Sequence, residues 1–283
     1  MEIKKVGVVG CGLMGSGITQ VCAQSGYGVV VSEINDELLN KGLASINSFL
    51  SKSVERGRLS QQDKDAALSR IKGTTNLQDF SDRDLVIEAA TENLDLKKKI
   101  FAELDKICSN QTILASNTSC LSIIDVAAMT GRPDKVLGMH FFSPVPLMKL
   151  LEIVRTIATS DETLEIGKTF GETLGKTVVI AQDTPGFIVN RLLVPFMLNA
   201  IRMLEAGIAT REDIDTGINL GLNHPMGPLT LADFVGLDTL YYIAVAMYDE
   251  FKDPQYASPL LLRRMVTAGW LGRKTGKGFY EYK

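Results

Sequence analysis

The chain has 283 residues, of which 45% are hydrophobic and 22% charged, and its formal net charge is -3. These values are typical of a globular protein and exclude a disordered or collagen-like chain. Because no segment gathers Lys and Arg into a cluster, the sequence offers no electrostatic attraction for nucleic acid or an anionic membrane, which favours small molecules as partners.

The sequence shows no sign of a membrane span or an export signal. No apolar stretch approaches roughly 20 residues, the length that crosses a bilayer, and the opening MEIKKVGVVG lacks the apolar region of a signal peptide. We therefore expect a cytoplasmic protein. Its four cysteines, Cys11, Cys22, Cys108 and Cys120, form no CxxC pair and have no metal-ligand spacing with a histidine, so we expect buried thiols and no metal site.

The first 35 residues predict a βαβ unit, in which a strand leads through a glycine turn into a helix and then into a second strand ending at Glu33. Glycines fill the GxGxxG positions, where missing side chains let backbone N–H groups approach a pyrophosphate at a helix N-terminus. A purely structural glycine turn is the alternative. The turn residues expected to contact a dinucleotide are Gly10, Cys11, Gly12, Leu13, Met14 and Gly15.

Glu33 bears on the choice of dinucleotide. A carboxylate at the end of the second strand accepts hydrogen bonds from the adenosine ribose and repels a 2′-phosphate. Its neighbours Ser32, Ile34 and Asn35 offer no cation to a phosphate. The sequence therefore favours NAD, with NADP as the alternative.

A helical hairpin is predicted between residues 35 and 70, with Ser60 as the N-cap of its second helix. Lys52 and Arg56 stand four residues apart on one face of the first helix. A solvated helix face explains them, and capture of the anionic part of a CoA substrate is the alternative.

Strand and helix patterns then alternate through DLVIEAA, NLDLKKKIFAELDKI, TILASNTS and KVLGMHFF. They predict an α/β fold with a Rossmann-type, doubly wound, mostly parallel sheet. Polar residues just past these strands, namely Glu92, residues 116–119 and His140, should meet at the cofactor crevice, because ligands of such sheets bind outside the carboxyl ends of the strands.

After the strand-like KTVVIAQD the pattern becomes helical, so we place a domain boundary near Asp183. Residues 1–183 are predicted to form the NAD-binding domain and residues 184–283 an all-α domain for substrate binding and dimerisation. The third helical segment is GPLTLADFVGLDTLYYIAVAMYDEF, and like the first it is apolar nearly all round, which favours burial in a homodimer. His224 lies in a turn-rich loop and is expected to have no chemical role.

These motifs together resemble the 3-hydroxyacyl-CoA dehydrogenase family, in the short single-function form of its bacterial 3-hydroxybutyryl-CoA members. DTPGFIVNRLLVPF is similar to the family signature, which has an acidic residue, Gly-Phe, Asn-Arg and a later proline. The other segments that carry the resemblance, over essentially the whole chain, are GCGLMGSGI, ATENLDLKKKIF, ASNTSCLSI, HFFSPVPLMKLLEIV and GRKTGKGFYEY.

The resemblance implies a catalytic pair, His140 and Glu152. Taken alone, His140 is better explained as a satisfied core residue at a strand end, and its combination with Glu152, Asn190 and a dinucleotide crevice favours catalysis. Imidazole titrates near neutral pH and suits removal of a hydroxyl proton, while a buried carboxylate would fix its tautomer. Ser119 matches the family serine that contacts substrate and nicotinamide. Asn190 matches the asparagine that donates to the substrate carbonyl.

The same matching implies further contacts to NAD from Glu92, Lys97, Ser119 and Lys274, and loosely assigns Lys52 and Arg56 to CoA. Ser143 departs from the pattern, since the family usually has asparagine there. A serine is shorter and has no amide donor, so we expect a water-mediated contact at Ser143.

The function implied is NAD-dependent interconversion of (S)-3-hydroxybutyryl-CoA and acetoacetyl-CoA, as in fatty acid and butanoate metabolism. The alternatives are a dehydrogenase of longer 3-hydroxyacyl-CoA chains, a gulonate-type enzyme of the same superfamily acting on a free hydroxy acid, and an NAD-binding module without catalysis. A free hydroxy acid demands a cationic clamp, and a silent module need not keep Ser119, His140, Glu152 and Asn190 together.

Overall fold

The computed structural model of the protein describes residues 1–282, and the chain separates into two compact units. The amino-terminal unit is Met1–Thr184, and the carboxy-terminal unit begins at Pro185. Each unit has its own cluster of buried apolar side chains.

Eight strands of the amino-terminal unit form one sheet, in the order β3-β2-β1-β4-β5-β6-β7-β8. Neighbouring strands are parallel except for β6 and β7, which are antiparallel. The predicted Rossmann-type, mostly parallel sheet is thus confirmed. The strands are β1 (Lys5–Val9), β2 (Gly28–Ser32), β3 (Ile71–Thr74), β4 (Leu85–Glu88), β5 (Ile113–Ser116), β6 (Val136–Phe141), β7 (Leu150–Arg155) and β8 (Thr177–Gln182).

Helices connect these strands, and the predicted helical hairpin between β2 and β3 is confirmed. Side chains cap several of the helices: Ser60, the predicted N-cap, accepts a hydrogen bond from the amide of Asp63, and Asn93 accepts one from the amide of Leu96. The helices are α1 (Leu13–Gln24), α2 (Asp36–Glu55), α3 (Gln61–Ser69), α4 (Leu94–Ile107), α5 (Ile123–Ala127) and α6 (Asp161–Thr173).

One face of the sheet carries the main apolar core. Alternate strand residues, among them Val8, Ile87, Met139 and Ile153, join buried residues of α1, α2 and α6 in this core. Because successive side chains of a strand point to opposite faces, the residues between them point to the other face of the sheet. That alternation decides where the polar side chains described below lie.

The carboxy-terminal unit is helical, and one predicted helix proves to be two. Gly236 has a φ of 102°, a left-handed conformation that breaks the continuous helix expected over GPLTLADFVGLDTLYYIAVAMYDEF. The sequence could not show this break, because apolar residues continue on both sides of the glycine. The helices of this unit are α7 (Val189–Glu205), α8 (Arg211–Gly221), α9 (Pro228–Val235), α10 (Leu237–Phe251) and α11 (Leu260–Thr267).

Across residues 1–282, no individual helix has both the length and the hydropathy to cross a membrane; α9 and α10 reach them only when joined, and they meet at a 95° bend.

Candidate active site

Polar side chains occupy the non-core face at or near the carboxyl ends of β4, β5 and β6, and also in β7. Glu88, Ser116, His140 and Glu152 each follow a residue of the main apolar core, so strand alternation turns all four to the same face. A sequence with this pattern builds a polar row along the sheet. Two contacts, Glu88 to Ser116 and His140 to Glu152, connect neighbouring strands within it.

His140 and Glu152 are directly opposite each other in the antiparallel register of β6 and β7. Nδ1 of His140 is 2.6 Å from Oε2 of Glu152, and the two residues are only 4% and 0% exposed. The ring of Phe142 lies against the imidazole, with 4.5 Å between ring centroids. Since a carboxylate can only accept, Nδ1 carries a proton, and Nε2 is the basic nitrogen of the neutral ring.

Elsewhere in the polar row, on β4, a second acidic residue, Glu88, is fully buried. Its Oε2 accepts from the ammonium of Lys97 at 2.5 Å and from the hydroxyl of Ser116 at 3.0 Å, and its Oε1 accepts from the amide of Ala90. Lys97 is 1% exposed. The lysine expected to contact NAD is therefore held in an internal ion pair, and its contact with the cofactor stays a prediction.

The loop after β5 carries Ser119 and is held from both ends. Glu92 accepts hydrogen bonds from the hydroxyl of Thr118 at 2.8 Å and from the amide of Ser119 at 2.7 Å. At the far end of the loop, Asp183 accepts from the amides of Ile123 and Ile124, the first two residues of α5. Glu92 and Ser119, both expected at the site, are thus in direct contact.

Asn117, in the same loop, extends the sheet beyond the end of β5. Pairing between β5 and β6 stops at Ser116 and Gly138, and the Oδ1 atom of Asn117 then accepts from the amide of Phe141 at 2.9 Å. This side chain fixes the backbone next to His140. The sequence suggested only that residues 116–119 approach the crevice, not that Asn117 would bridge two strands.

The glycine turn has the shape that a dinucleotide requires. Gly10 adopts a φ of 94°, and a Cβ on Gly15 would lie 1.9 Å from the carbonyl oxygen of Gly10. Glu33 is directed at this turn, because its Oε1 accepts from the amide of Cys11 at 2.8 Å. Backbone amides at the start of α1 and the carboxylate at the end of β2 therefore fit the pyrophosphate and adenosine ribose of NAD.

Three of the other predicted contact residues are exposed in the amino-terminal unit. Ser143 lies in the turn between β6 and β7, where it precedes Pro144 through a cis peptide bond. Lys52 and Arg56 lie at the exposed end of α2, and neither forms an ion pair with another residue of the described chain. Their contacts with cofactor or substrate remain predictions.

Asn190 and Lys274 belong to the carboxy-terminal unit. Asn190 is the second residue of α7, and the ammonium of Lys274 is 2.6 Å from Oδ2 of Asp238. His224 lies in the exposed loop between α8 and α9, its ring 5.8 Å from that of Phe196.

Burial raises the pKa of every cysteine thiol. The pKa rises to about 12 for Cys11, Cys22 and Cys120 and to about 11 for Cys108, first because each thiol is desolvated. Three of the cysteines are buried as expected, whereas Cys120 is only half-buried. Over residues 1–282, no group of three His, Cys, Asp or Glu side chains is placed to hold a metal ion.

Comparison with known proteins gives matches over both units. Residues 5–184 match the family model of the 3-hydroxyacyl-CoA dehydrogenase NAD binding domain, and residues 186–282 match that of the 3-hydroxyacyl-CoA dehydrogenase C-terminal domain. The 3-hydroxybutyryl-CoA dehydrogenase of Mycobacterium tuberculosis is 51% identical over 282 residues, which cover 99% of each chain.

Two solved structures are similar over the full length of both chains. M. tuberculosis FadB2 has a TM-score of 0.98 at 50% identity, with 100% of each chain covered. PaaH1 from Ralstonia eutropha, an (S)-3-hydroxybutyryl-CoA dehydrogenase, has a TM-score of 0.97 at 48% identity, again with 100% of each chain covered.

Proposed function

Because the chain belongs to the 3-hydroxyacyl-CoA dehydrogenase family, we propose that it interconverts (S)-3-hydroxybutyryl-CoA and acetoacetyl-CoA with NAD(H). The observation that carries this proposal is the similarity across the whole chain to enzymes named for that substrate. The polar row at the carboxyl ends of the strands supports it, since it offers a proton acceptor at the same edge of the sheet as a turn shaped for NAD.

His140 is the general acid and base of the proposed reaction. NAD⁺, when bound, would supply the acceptor for the hydride of the hydroxyl-bearing carbon. Nε2 of His140 takes the hydroxyl proton as that hydride departs, and Glu152 stabilises the resulting imidazolium through Nδ1. In the reverse direction the protonated imidazole returns the proton to the alkoxide. The 2.6 Å contact between Nδ1 and Oε2 supports these roles.

Ser119 and Asn190 act on the substrate oxygen and carbonyl in this proposal. Ser119 offers a hydroxyl from a loop whose backbone Glu92 holds, which supports a fixed contact with the substrate oxygen and the nicotinamide end of the cofactor. Asn190 offers an amide donor to the carbonyl, and one such donor is worth about 3 kcal/mol in an oxyanion site. Glu33, Glu92, Lys97, Ser143 and Lys274 complete the proposed contacts with NAD, while Lys52 and Arg56 attract the CoA phosphates.

We also propose that the protein is a cytoplasmic homodimer formed through its carboxy-terminal unit. Large apolar side chains lie exposed there: Leu192 is 72%, Leu220 81% and Tyr242 65% exposed. Burying such residues against a second copy stabilises a dimer. The four free thiols suit a reducing compartment. Sedimentation of the purified protein tests the dimer, and a monomer at micromolar concentration would contradict it.

The decisive measurement of activity is loss of NADH absorbance with acetoacetyl-CoA, with NADPH run in parallel. Turnover with NADH that exceeds turnover with NADPH is expected. 3-Ketoacyl-CoA substrates of increasing length test the longer-chain alternative, and a free 3-keto acid tests the hydroxy-acid alternative. If acetoacetyl-CoA is turned over neither with NADH nor with NADPH, the proposed function is contradicted.

A further inference from the structure

Lys176, between α6 and β8, is a buried cation that the proposed reaction does not use. It is 9% exposed, and burial lowers the pKa of its ammonium. A buried ammonium is costly unless carbonyl or carboxylate oxygens surround it. The partners that stabilise Lys176 therefore show which part of the fold requires it.

Those partners are two carbonyl groups of the connecting turn, which we define as residues 142–149 between β6 and β7. Nζ of Lys176 donates to the carbonyl oxygen of Val145 at 2.6 Å and to that of Met148 at 2.8 Å. The next residue, Thr177, donates its amide to the carbonyl oxygen of Lys149 at 2.7 Å. Two consecutive residues thus hold three carbonyl groups of the connecting turn.

The connecting turn also packs against the helix that follows the glycine turn. Val145 belongs to the main apolar core, and a Cβ on Gly17 of α1 would lie 2.9 Å from the Cβ of Val145. The turn is therefore enclosed by α1 on one side and by Lys176 on another. A shift of the turn would disturb both its packing against α1 and the two strands that it joins.

The register of those strands decides whether the acid–base pair exists. Slipping β7 by one residue along β6 would carry Glu152 to the opposite face of the sheet. A two-residue hairpin loop specifies its own register, but a turn of this length does not, so the register depends on the apolar faces of β6 and β7 together with contacts made by the turn. The three hydrogen bonds to the connecting turn are contacts of this kind.

We propose that Lys176 is a positioning residue for the reaction: its ammonium fixes the connecting turn and thereby holds Glu152 against Nδ1 of His140. The proposal rests on the proposed function only for its kinetic consequence. Its structural content, the dependence of the His140–Glu152 contact on Lys176, is independent of the substrate.

The test compares Lys176→Met, which keeps the length of the side chain but removes its donors, with Lys176→Arg, which restores charge and donors. Lys168→Met is the matched control, because Lys168 is a half-buried lysine of α6 whose ion pair, with Glu165, stays within that helix. We expect Lys176→Met to lower kcat about 100-fold, as a displacement of about 1 Å would. The dissociation constant of NADH should stay within about threefold, and Lys176→Arg should recover most of the lost kcat.

A magnetic resonance measurement reads the contact without any substrate. The chain has two histidines, so the imidazole N–H signals of His140 can be assigned with His224 as the internal reference. In Lys176→Met the hydrogen-bonded Nδ1–H signal of His140 should shift or broaden, while the signals of His224 stay in place. An unchanged His140 signal overturns the proposal, whether or not kcat falls.

Different results would contradict the proposed function and the positioning role of Lys176. If the wild-type protein does not turn over acetoacetyl-CoA, the proposed function fails, while the His140 signal still tests Lys176. Wild-type kcat in Lys176→Met overturns the positioning role. If Lys176→Met does not fold, Lys176→Gln is used instead, since glutamine has fewer hydrogen-bond donors than lysine and no charge. The Nδ1–H signal of His140 in that variant then tests the proposal.

Discussion

Glu152 lies across the antiparallel strand pair from His140, one residue directly opposite the other, with 2.6 Å between Oε2 and Nδ1. Two side chains opposite each other in a sheet are held by the backbone ladder on both sides. The ladder therefore keeps their Cβ atoms about 4.5–5.5 Å apart, and the carboxylate meets the imidazole without any substrate.

Glu152→Gln should separate chemistry from cofactor binding. The amide keeps the shape of the side chain but loses the charge that stabilises an imidazolium, so kcat should fall about 100-fold to 10,000-fold. The dissociation constant of NADH, measured by fluorescence, should change less than about threefold. Glu165→Gln, at an exposed position of α6, is the control and should leave kcat unchanged. Equal losses in kcat and NADH affinity would instead indicate a structural histidine.

Glu33→Gln should weaken the preference for NADH over NADPH. The substitution removes the charge that repels a 2′-phosphate but keeps an oxygen able to accept from the amide of Cys11. Losing about 1.4 kcal/mol of repulsion would raise the ratio of kcat/KM for NADPH to that for NADH about tenfold. Glu37→Gln, in the exposed first turn of α2, should leave the ratio unchanged. An unaltered ratio in Glu33→Gln would contradict the role of this carboxylate.

Lys97→Met should destabilise the protein far more than Lys98→Met. Removing Lys97 leaves the fully buried carboxylate of Glu88 without its cation, which costs about 3–5 kcal/mol in the free energy of unfolding. Lys98 is partly exposed and 3.9 Å from Asp125, so its removal should cost at most about 1 kcal/mol. Urea denaturation measures both, and equal small losses would count against a structural role for the Lys97–Glu88 pair.

Stability should fall at alkaline pH through Cys22. Its pKa is raised from 9.0 to about 12 in the folded protein, so the unfolded chain loses the thiol proton first as pH rises. The stabilisation is complete below about pH 9 and is lost as pH rises towards 12, by at most about 1.4 kcal/mol per pH unit.

Cys22→Ala should therefore show a shallower decline in the free energy of unfolding between pH 9 and 10.5, measured by urea denaturation about one-half pH unit apart. Val21→Ala, at a buried position of the same helix, should lower stability at every pH without altering the slope. Identical slopes in Cys22→Ala and the wild type would show that this thiol contributes nothing to the alkaline loss.

Much of the fold could be predicted because local patterns specify it. The glycine turn, the cap at Ser60 and the apolar strands all follow from residues close together in the sequence. β3 has no counterpart in the prediction, because its four residues, IKGT, include only one large apolar side chain, whereas the equally short β4 and β5 are mostly apolar. The helix break at Gly236 could not be predicted, because the sequence does not show the φ of a glycine that lies within an apolar helix pattern.

The candidate site was harder to predict, because several of its contacts join distant segments. The pairing of Lys97 with Glu88 could not be predicted, because the two residues belong to different elements, α4 and β4, and meet only in the folded chain. The sequence around Lys176 does not distinguish it from an exposed lysine, because the carbonyl groups that it binds, in the connecting turn, lie about thirty residues away in the chain. Asp183 belongs to the segment that is similar to the family signature. Its hydrogen bonds to the start of α5 could not be predicted, because they join residues about sixty positions apart.

The antiparallel pairing of β6 and β7 also affects the folding of the chain. His140 and Glu152 are twelve residues apart, so their meeting closes a short loop, whereas parallel neighbours in such a sheet require a crossover connection. Contacts of low sequence separation cost less loop-closure entropy than contacts between distant segments. The proposed acid–base pair thus lies within one hairpin-sized segment, whereas the proposed substrate contact of Ser119 also requires the loop after β5, which Glu92 holds from another part of the chain.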